Sequence, residues 1–445
     1  MANKKRGSRW MKFSYKSRQS FPKYGRKRSV ENVLVLQGGG SLGAFACGVF
    51  KALMKEQIKL DIVAGTSIGA INAAIITASK SNHPEIDLEN FWLELAESSH
   101  EIIPDWFVPF DNHSKYGISN NLQRISMAAV NAAIFGVPKM FLPRWNPIYM
   151  FTDKDYFIPK NWTYLYDNTP LVRTLEKYVD YKKLNLHSVT KNTGPNNLEH
   201  NMRLLVTAVN VLTAEPLIFD SARMPIESKH LLASCGYPNY GFPWTKIEEN
   251  VYGWDGSLLS NTPVREVIAS SPLNDKNIFI VENYSREIDR LPSNMVEVMD
   301  RAKDIMFSDK TKHSLKMTKL MTRQIRLIEK LYEYFEDAEK EFEKKGYKTL
   351  QTNSDNGTNR GIFITEVEKE QIRKEYKKLV FNRGAEILSV TRILRNRMER
   401  PHVSKNANFS VKAVKLSILE GEKIALQYIK EFKEKNEYNY QSSLR

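Results

Sequence analysis

The chain has 445 residues and a mass of 51.4 kDa, enough for roughly two or three domains. Hydrophobic residues make up 42% and charged residues 26%, which excludes collagen-like and wholly disordered classes. The net charge of +15 is unevenly placed: residues 1–30 hold eleven Lys/Arg and no acid, residues 31–300 are net −7, and residues 301–445 are net +11. Basic ends of this kind suit nucleic acid or an anionic membrane surface, and say nothing of fold.

Residues 1–30 carry Trp10, Phe13, Tyr15, Phe21 and Tyr24 among their basic side chains. The segment is too polar to fold alone and reads as a flexible arm. No apolar run follows it, so export is not expected, while its Arg/Ser-rich, acid-free composition leaves organellar targeting open. Val33-Leu34-Val35-Leu36 reads as a buried strand ending in a glycine cluster. Ala44 to Met54 then fits a helix, Leu60 to Ala64 a second strand, and Ile68 to Ala78 a second helix rich in small residues. Strand, helix, strand, helix in that order predicts a parallel sheet covered by helices.

Between residues 102 and 166 stand fourteen aromatics and six prolines. This stretch reads either as core filling, the commoner use of aromatics, or as a lid or lipid-access wall. Asn201–Asn210 alternates like a strand, and Asn277–Val281 is a later buried one. Beyond residue 300 the chain turns helical and basic. Met321, Ile325, Ile328, Tyr332, Phe335 and Phe342 keep a three-four spacing that predicts an amphipathic helix. A polar linker at 351–360 follows, then helical stretches around 366–381 and 410–435 that flank a strand at Glu386–Leu394. The uncharged stretch Ile62–Ser79 contains Gly65, Thr66, Ser67, Gly69 and Asn72, so no spanning helix is expected. Cys47 and Cys235 neither form a disulfide framework nor show metal-ligand spacing, and fit a reducing compartment.

Three motifs carry chemistry. Gln37-Gly38-Gly39-Gly40-Ser41-Leu42-Gly43 lies between the first strand and helix, where glycines let backbone N–H groups face a ligand at a helix N-terminus. It also spells GxGxxG, a dinucleotide fingerprint that requires an acidic residue at the end of the second strand. Asp61 stands at the start of that strand instead. Its end leads into Gly65-Thr66-Ser67-Ile68-Gly69, a GxSxG on a sharp strand-to-helix turn that would expose the Ser67 hydroxyl. A serine needs a base. A hydrolase triad would take a late histidine, His313 or His402, neither in the setting of a strand-end loop. The third motif, Tyr252-Gly253-Trp254-Asp255-Gly256-Ser257 followed by Asn261-Thr262-Pro263, offers Asp255 in its place, although an Asp-Gly more often stabilises a turn.

Together these motifs resemble the patatin-like phospholipase family, as do Gly43-Ala44 through Gly48-Val49, Ala70-Ile71-Asn72-Ala73, Thr207-Ala208 with Glu215-Pro216, and Ala233-Ser234-Cys235. The resemblance covers about 33–285, and the part beyond looks similar to the extension of some bacterial-type members. It implies an α/β fold, a parallel-sheet core between helical layers (α/β/α) spanning 31–300, followed by a mainly helical extension over 301–445. It also implies a serine lipid acyl hydrolase without cofactor or metal. Ser67 is then the nucleophile, Asp255 its base, and the N–H groups of Gly38, Gly39 and Gly40 the oxyanion hole, with Gly43, Gly65, Gly69 and Gly256 supporting the turns. Two positions depart from the family pattern: Leu42 stands where many members have Arg or Lys, and Ser257 where they have Gly or Ala.

The expected reaction is acyl transfer through an acyl-Ser67 intermediate. Phospholipids, lysophospholipids and acylglycerols all suit the dyad. The basic ends lie outside the motifs, so their expected role is attachment of a cytoplasmic enzyme to an anionic membrane surface rather than to nucleic acid. The runners-up are a dinucleotide-binding oxidoreductase built on the glycine loop and a non-catalytic membrane-docking protein.

Overall fold

A computed structural model describes residues 29–81, 83–99, 128–185, 202–308, 310–344, 366–383, 385–396 and 405–443. The arm through residue 28, the first part of the aromatic-rich segment and the linker 351–360 lie outside the described residues.

The strands are β1 Val30–Leu36, β2 Ile62–Thr66, β3 Leu142–Pro143, β4 Tyr166–Asp167, β5 Arg203–Asn210, β6 Pro216–Asp220, β7 Thr245–Glu248, β8 Val251–Asp255, β9 Asp275–Glu282 and β10 Ile387–Leu394. The helices named below are α1 Ala44–Lys55, α2 Ile68–Thr77, α3 Pro84–Ser98, α4 Pro170–Tyr178, α5 Ser228–Cys235, α6 Val264–Ser270, α7 Met295–Phe307, α8 Thr311–Lys344, α9 Glu366–Arg383 and α10 Val411–Ser443.

All strands but β3 and β4 join one sheet in the order β10-β9-β1-β2-β5-β8-β7, with β6 also beside β5. Five neighbours, β10, β9, β1, β2 and β5, run parallel. β6 and β8 run antiparallel to β5, and β7 antiparallel to β8. The sheet is therefore mostly parallel but mixed. The sequence predicts its parallel half. The antiparallel strands are short hairpin partners whose pairing leaves no local trace.

The apolar run of β1 is buried on both faces, as a central parallel strand must be. Leu34 and Leu36 enter the larger core with α1, α2 and α3, while Val33 and Val35 enter a second core with α6 and the start of α8. Helices thus cover both faces.

The chain beyond residue 300 is mainly helical and is knitted into this body. β10 extends the sheet beside β9, with Val390 opposite Ile278. α10 buries Val414, Ile418, Ala425 and Ile429 in the larger core. It crosses α1 backbone to backbone, since a Cβ on Gly48 would overlap the Ile418 carbonyl and one on Gly421 the Phe45 carbonyl. α8 starts earlier than its apolar stripe predicts. It is anchored through Leu315, Thr318, Thr322 and Ile325, whereas Leu327, Ile328 and Leu331 stay exposed. The side chains of Tyr332, Phe335 and Phe342, the rest of the predicted stripe, lie outside the described residues.

Candidate active site

β1 and β2 end side by side, with Leu36 opposite Gly65, so the glycine loop and the GxSxG turn emerge together. The third motif is brought in by β5, whose Thr207 pairs with Thr66 on one side while Ala208 pairs with Asp255 on the other. One strand between two partners fixes the spacing of Ser67 and Asp255.

Ser67 caps α2 with φ 57° and ψ −131°, a conformation costly for a residue with a side chain. What holds it is the approach of α2 to the sheet: a Cβ on Gly65 would overlap the Gly69 carbonyl, and one on Gly69 the Leu36 carbonyl. The Ser67 N–H donates to Ser234 Oγ at 2.9 Å, and Ser234 donates on to the Thr207 carbonyl at 2.7 Å. The Ser67 side chain is left half-buried, facing a cavity of about 240 Å³.

Asp255 ends β8 and is 1% exposed. Its Oδ1 accepts the Ser257 N–H at 2.8 Å, and the hydroxyls of Ser67 and Ser257 act on the carboxylate in the same sense, favouring its ionised form. Burial pushes its pKa up to about 6, against the pull of those hydrogen bonds. A carboxylate that is normally a poor base is made a better one by desolvation. Cys235, on the same cavity, has its thiol held far above its ordinary value by burial and by Asp255, so it does not compete as a thiolate.

The glycine loop is pinned from behind. Gln37 Nε2 donates to Thr262 Oγ1 at 2.8 Å and Gln37 Oε1 accepts the Asn283 N–H at 2.9 Å. Gly38, expected as an oxyanion donor, gives its N–H to Asn261 Oδ1 at 2.9 Å and so acts as an anchor in this structure. The N–H groups of Gly39 and Gly40 have no acceptor among the described residues. Gly40 has φ +57°, and a Cβ there would overlap the Asn406 carbonyl. Ser41 Oγ donates to the Lys405 carbonyl at 3.3 Å. The segment 405–407 therefore backs the loop from a distant part of the chain.

Of the supporting glycines not yet placed, Gly43 offers its carbonyl to Asn72 Nδ2 at 2.9 Å, and Gly256 opens the turn after Asp255. Leu42 is buried in a cluster with Tyr237, Tyr284 and Phe307, an apolar filling at that position. Ser257 keeps the turn and adds a hydroxyl that favours the ionised form of Asp255.

The cavity has two characters. Met140, Phe141, Leu171, Phe242 and Phe409 form an apolar wall. Part of it comes from the aromatic-rich segment, where Phe141 stacks edge-on against Tyr166, Phe242 and Phe409. Asn261, Lys303, Tyr240 and Asn406 form a polar side. Sequence reasoning did not assign the loop anchors Asn261 and Asn283, the relay Ser234, or Lys303 and 405–409. Asn261-Thr262 stood out only as the sequel of the third motif and Ser234 only within a family-like phrase, and the rest carry no motif.

The competing chemistries lose their footing here. Asp61 Oδ2 accepts the Asn32 N–H at 2.8 Å at the start of β2, the wrong end of the sheet for a ribose contact. The described His230 takes the Glu227 N–H on Nδ1 at 2.9 Å and rests on Phe219, with burial lowering its pKa to about 4. It is a neutral capping residue. The side chain of His313 and all of His402 lie outside the described residues. No cluster of metal-ligating side chains and no helix long and apolar enough to cross a membrane occurs among the described residues.

Residues 34–268 match the family model described as patatin-like phospholipase. A lysophospholipase, nte1, of Aspergillus terreus (strain NIH 2624 / FGSC A1156) is 55% identical over 42 residues, 9% of this chain and 3% of that protein. The chain thus spans a very small part of that relative's length. Among solved structures, VipD from Legionella pneumophila aligns over 90% of this chain and 67% of its own at 13% identity, with a TM-score of 0.34. ExoU of Pseudomonas aeruginosa, in complex with SpcU, aligns over 62% of this chain and 48% of its own at 15% identity, with a TM-score of 0.23. Likenesses this distant carry no argument about the site.

Proposed function

The chain belongs to the patatin-like phospholipase family and is a lipid ester hydrolase, and from that premise we propose that it cleaves acyl esters through a Ser67–Asp255 dyad. The observation that supports this most is Ser67 held on a positive-φ turn on the same cavity as Asp255, a buried carboxylate of raised pKa. Asp255 accepts the proton as Ser67 attacks the ester carbonyl, and returns it to the leaving alkoxide. Negative charge on the carbonyl oxygen is met by the N–H groups of Gly39 and Gly40; one such donor is typically worth about 3 kcal/mol. Water then hydrolyses acyl-Ser67, again with Asp255 as base.

Labelling of Ser67 by a fluorophosphonate, with loss of both labelling and lipid hydrolysis in Ser67→Ala, is the expected result. Hydrolysis that survives Ser67→Ala would remove the dyad. The basic arm is the proposed means of attachment to an anionic bilayer, at about 1 kcal/mol per engaged Lys or Arg. Deleting residues 1–28 should weaken low-salt binding to anionic liposomes while a soluble ester is still cleaved. Unchanged liposome binding would exclude the arm.

A further inference from the structure

Helix α7 is amphipathic with its sides reversed. Its buried positions carry Asp300 and Asp304, both paired with Lys405, together with Phe307. Its outer positions are apolar: Met295, Val296, Val298, Met299, Ile305 and Met306 are each at least 42% exposed. Charged side chains on its flanks are engaged within the fold, Arg301 with the Ser285 and Arg286 carbonyls and Glu297 with Arg290. An apolar helix face left in water marks a contact surface.

α8 follows three residues later and adds charge. It buries Leu315, Thr318, Thr322 and Ile325, and it exposes Lys312, Lys316, Lys319 and Arg323 beside Met317 and Leu320. Among the described residues from 310 to 331 no acidic side chain is exposed. Cations set among aliphatic side chains suit the interface of an anionic bilayer, where apolar groups and lysine stems enter the lipid and the charged heads stay with the phosphates. Nucleic acid would neutralise the cations but leave the methionines and leucine in water. A second copy docked on the same face would bring like charges together. The face also reaches the cavity. Met306 accepts the Tyr237 hydroxyl on Sδ at 3.5 Å, and Tyr237 and Phe307 line the cavity with Ser67 and Asp255.

We propose that α7 and the first turns of α8 form a membrane-docking face, the apolar side of α7 entering an anionic bilayer and the α8 cations meeting lipid phosphates, so that the cavity edge at Tyr237 is brought to the lipid. The basic arm adds charge attraction alone. A folded helical face also sets which side of the molecule meets the lipid.

Flotation of full-length Ser67→Ala with vesicles of phosphatidylcholine and phosphatidylserine reads attachment, and failure of the dyad would not alter the outcome. Met295→Gln with Met299→Gln should lower vesicle affinity by roughly tenfold or more, as expected when two methionine side chains are withdrawn from lipid. Lys316→Gln with Lys319→Gln should lower it about fivefold for each cation, and only where phosphatidylserine is present. All four positions are exposed, so in the active enzyme kcat/KM toward a soluble ester should be unchanged in both pairs. The methionine effect should persist when residues 1–28 are deleted. Unchanged affinity in the methionine pair overturns the docking face, even if the lysine pair lowers binding. A concentration-dependent dimer in lipid-free solution that the methionine pair dissolves would overturn it in favour of a second copy.

Discussion

Two parts of the chain build one cavity by different means. The stretch 34–268 supplies the groups proposed to react, each on a local backbone feature: a glycine loop after β1, a strained serine after β2, an aspartate at the end of β8. The stretch from 283 onward adds backing and part of the polar lining through contacts across hundreds of residues: Asn283 against Gln37, Lys303 on the cavity lining, Asn406 against Gly40. Chemistry that depends on a strained turn must be written in adjacent residues. A wall needs only shape and polarity, and any distant segment can provide it.

The sharpest test of the first part is removal of its reacting groups. Ser67→Ala should lower kcat/KM by roughly ten-thousandfold or more, and Asp255→Asn by roughly a hundred- to ten-thousandfold. Because the active form needs ionised Asp255, wild-type activity should fall as pH drops through about 6. The same group gives a stability signature. Its folded pKa lies above its ordinary value of 3.8, so the native state binds the proton more tightly and loses stability as pH rises between the two values. The loss is about 3 kcal/mol. Asp255→Asn does not titrate, so its stability relative to wild type should grow from pH 4 to above pH 6 and then level off in chemical denaturation. A flat difference across that range would mean the carboxylate is not desolvated.

The next largest effect tests the second part. Lys405 is buried with Asp300 and Asp304, and Lys405→Met leaves both carboxylates without its charge. Breaking a buried pair from one side costs about 3–5 kcal/mol. If the backing of Gly40 matters to the reaction, kcat toward a soluble ester should also drop in the protein that remains folded. Adding Asp300→Asn and Asp304→Asn should recover stability more fully than kcat. Equal recovery of both would reduce the segment to a purely structural role.

The same division explains what could be read in advance. The serine turn, the Asp-Gly turn and the alternating parallel strands were legible because they need particular residues in particular order. The apolar spacing of α10 revealed a helix, but not that Gly421 would meet α1 at Gly48. Glu386–Leu394 read as a strand, but its pairing with β9 joins residues more than a hundred positions apart, which no local pattern encodes. The basic composition of 301–445 suggested attachment away from the site. Lys303 shows that some of that charge lines the cavity, and Lys405 that some is buried in ion pairs. A charge tally cannot tell a solvated lysine from one placed over an aromatic ring.

The smallest expected effect falls on a departure visible in the sequence. Ser257 stands where the family pattern has Gly or Ala; its N–H donates to Asp255, and its hydroxyl pulls the Asp255 pKa the same way. Both effects favour the ionised carboxylate and hold its pKa below what burial alone would impose. Ser257→Gly keeps the N–H and removes only the hydroxyl, so the Asp255 pKa should rise. The acid limb of the pH–kcat/KM profile should then move to higher pH, and the ratio of activity at pH 6 to that at pH 8 should fall. Ser257→Thr, which keeps a hydroxyl, should leave the limb closer to that of the wild type. A limb that does not move in Ser257→Gly would mean that the backbone N–H and Ser67 alone set the base. The chain would then owe its tuning wholly to the local geometry that the first part of the comparison describes.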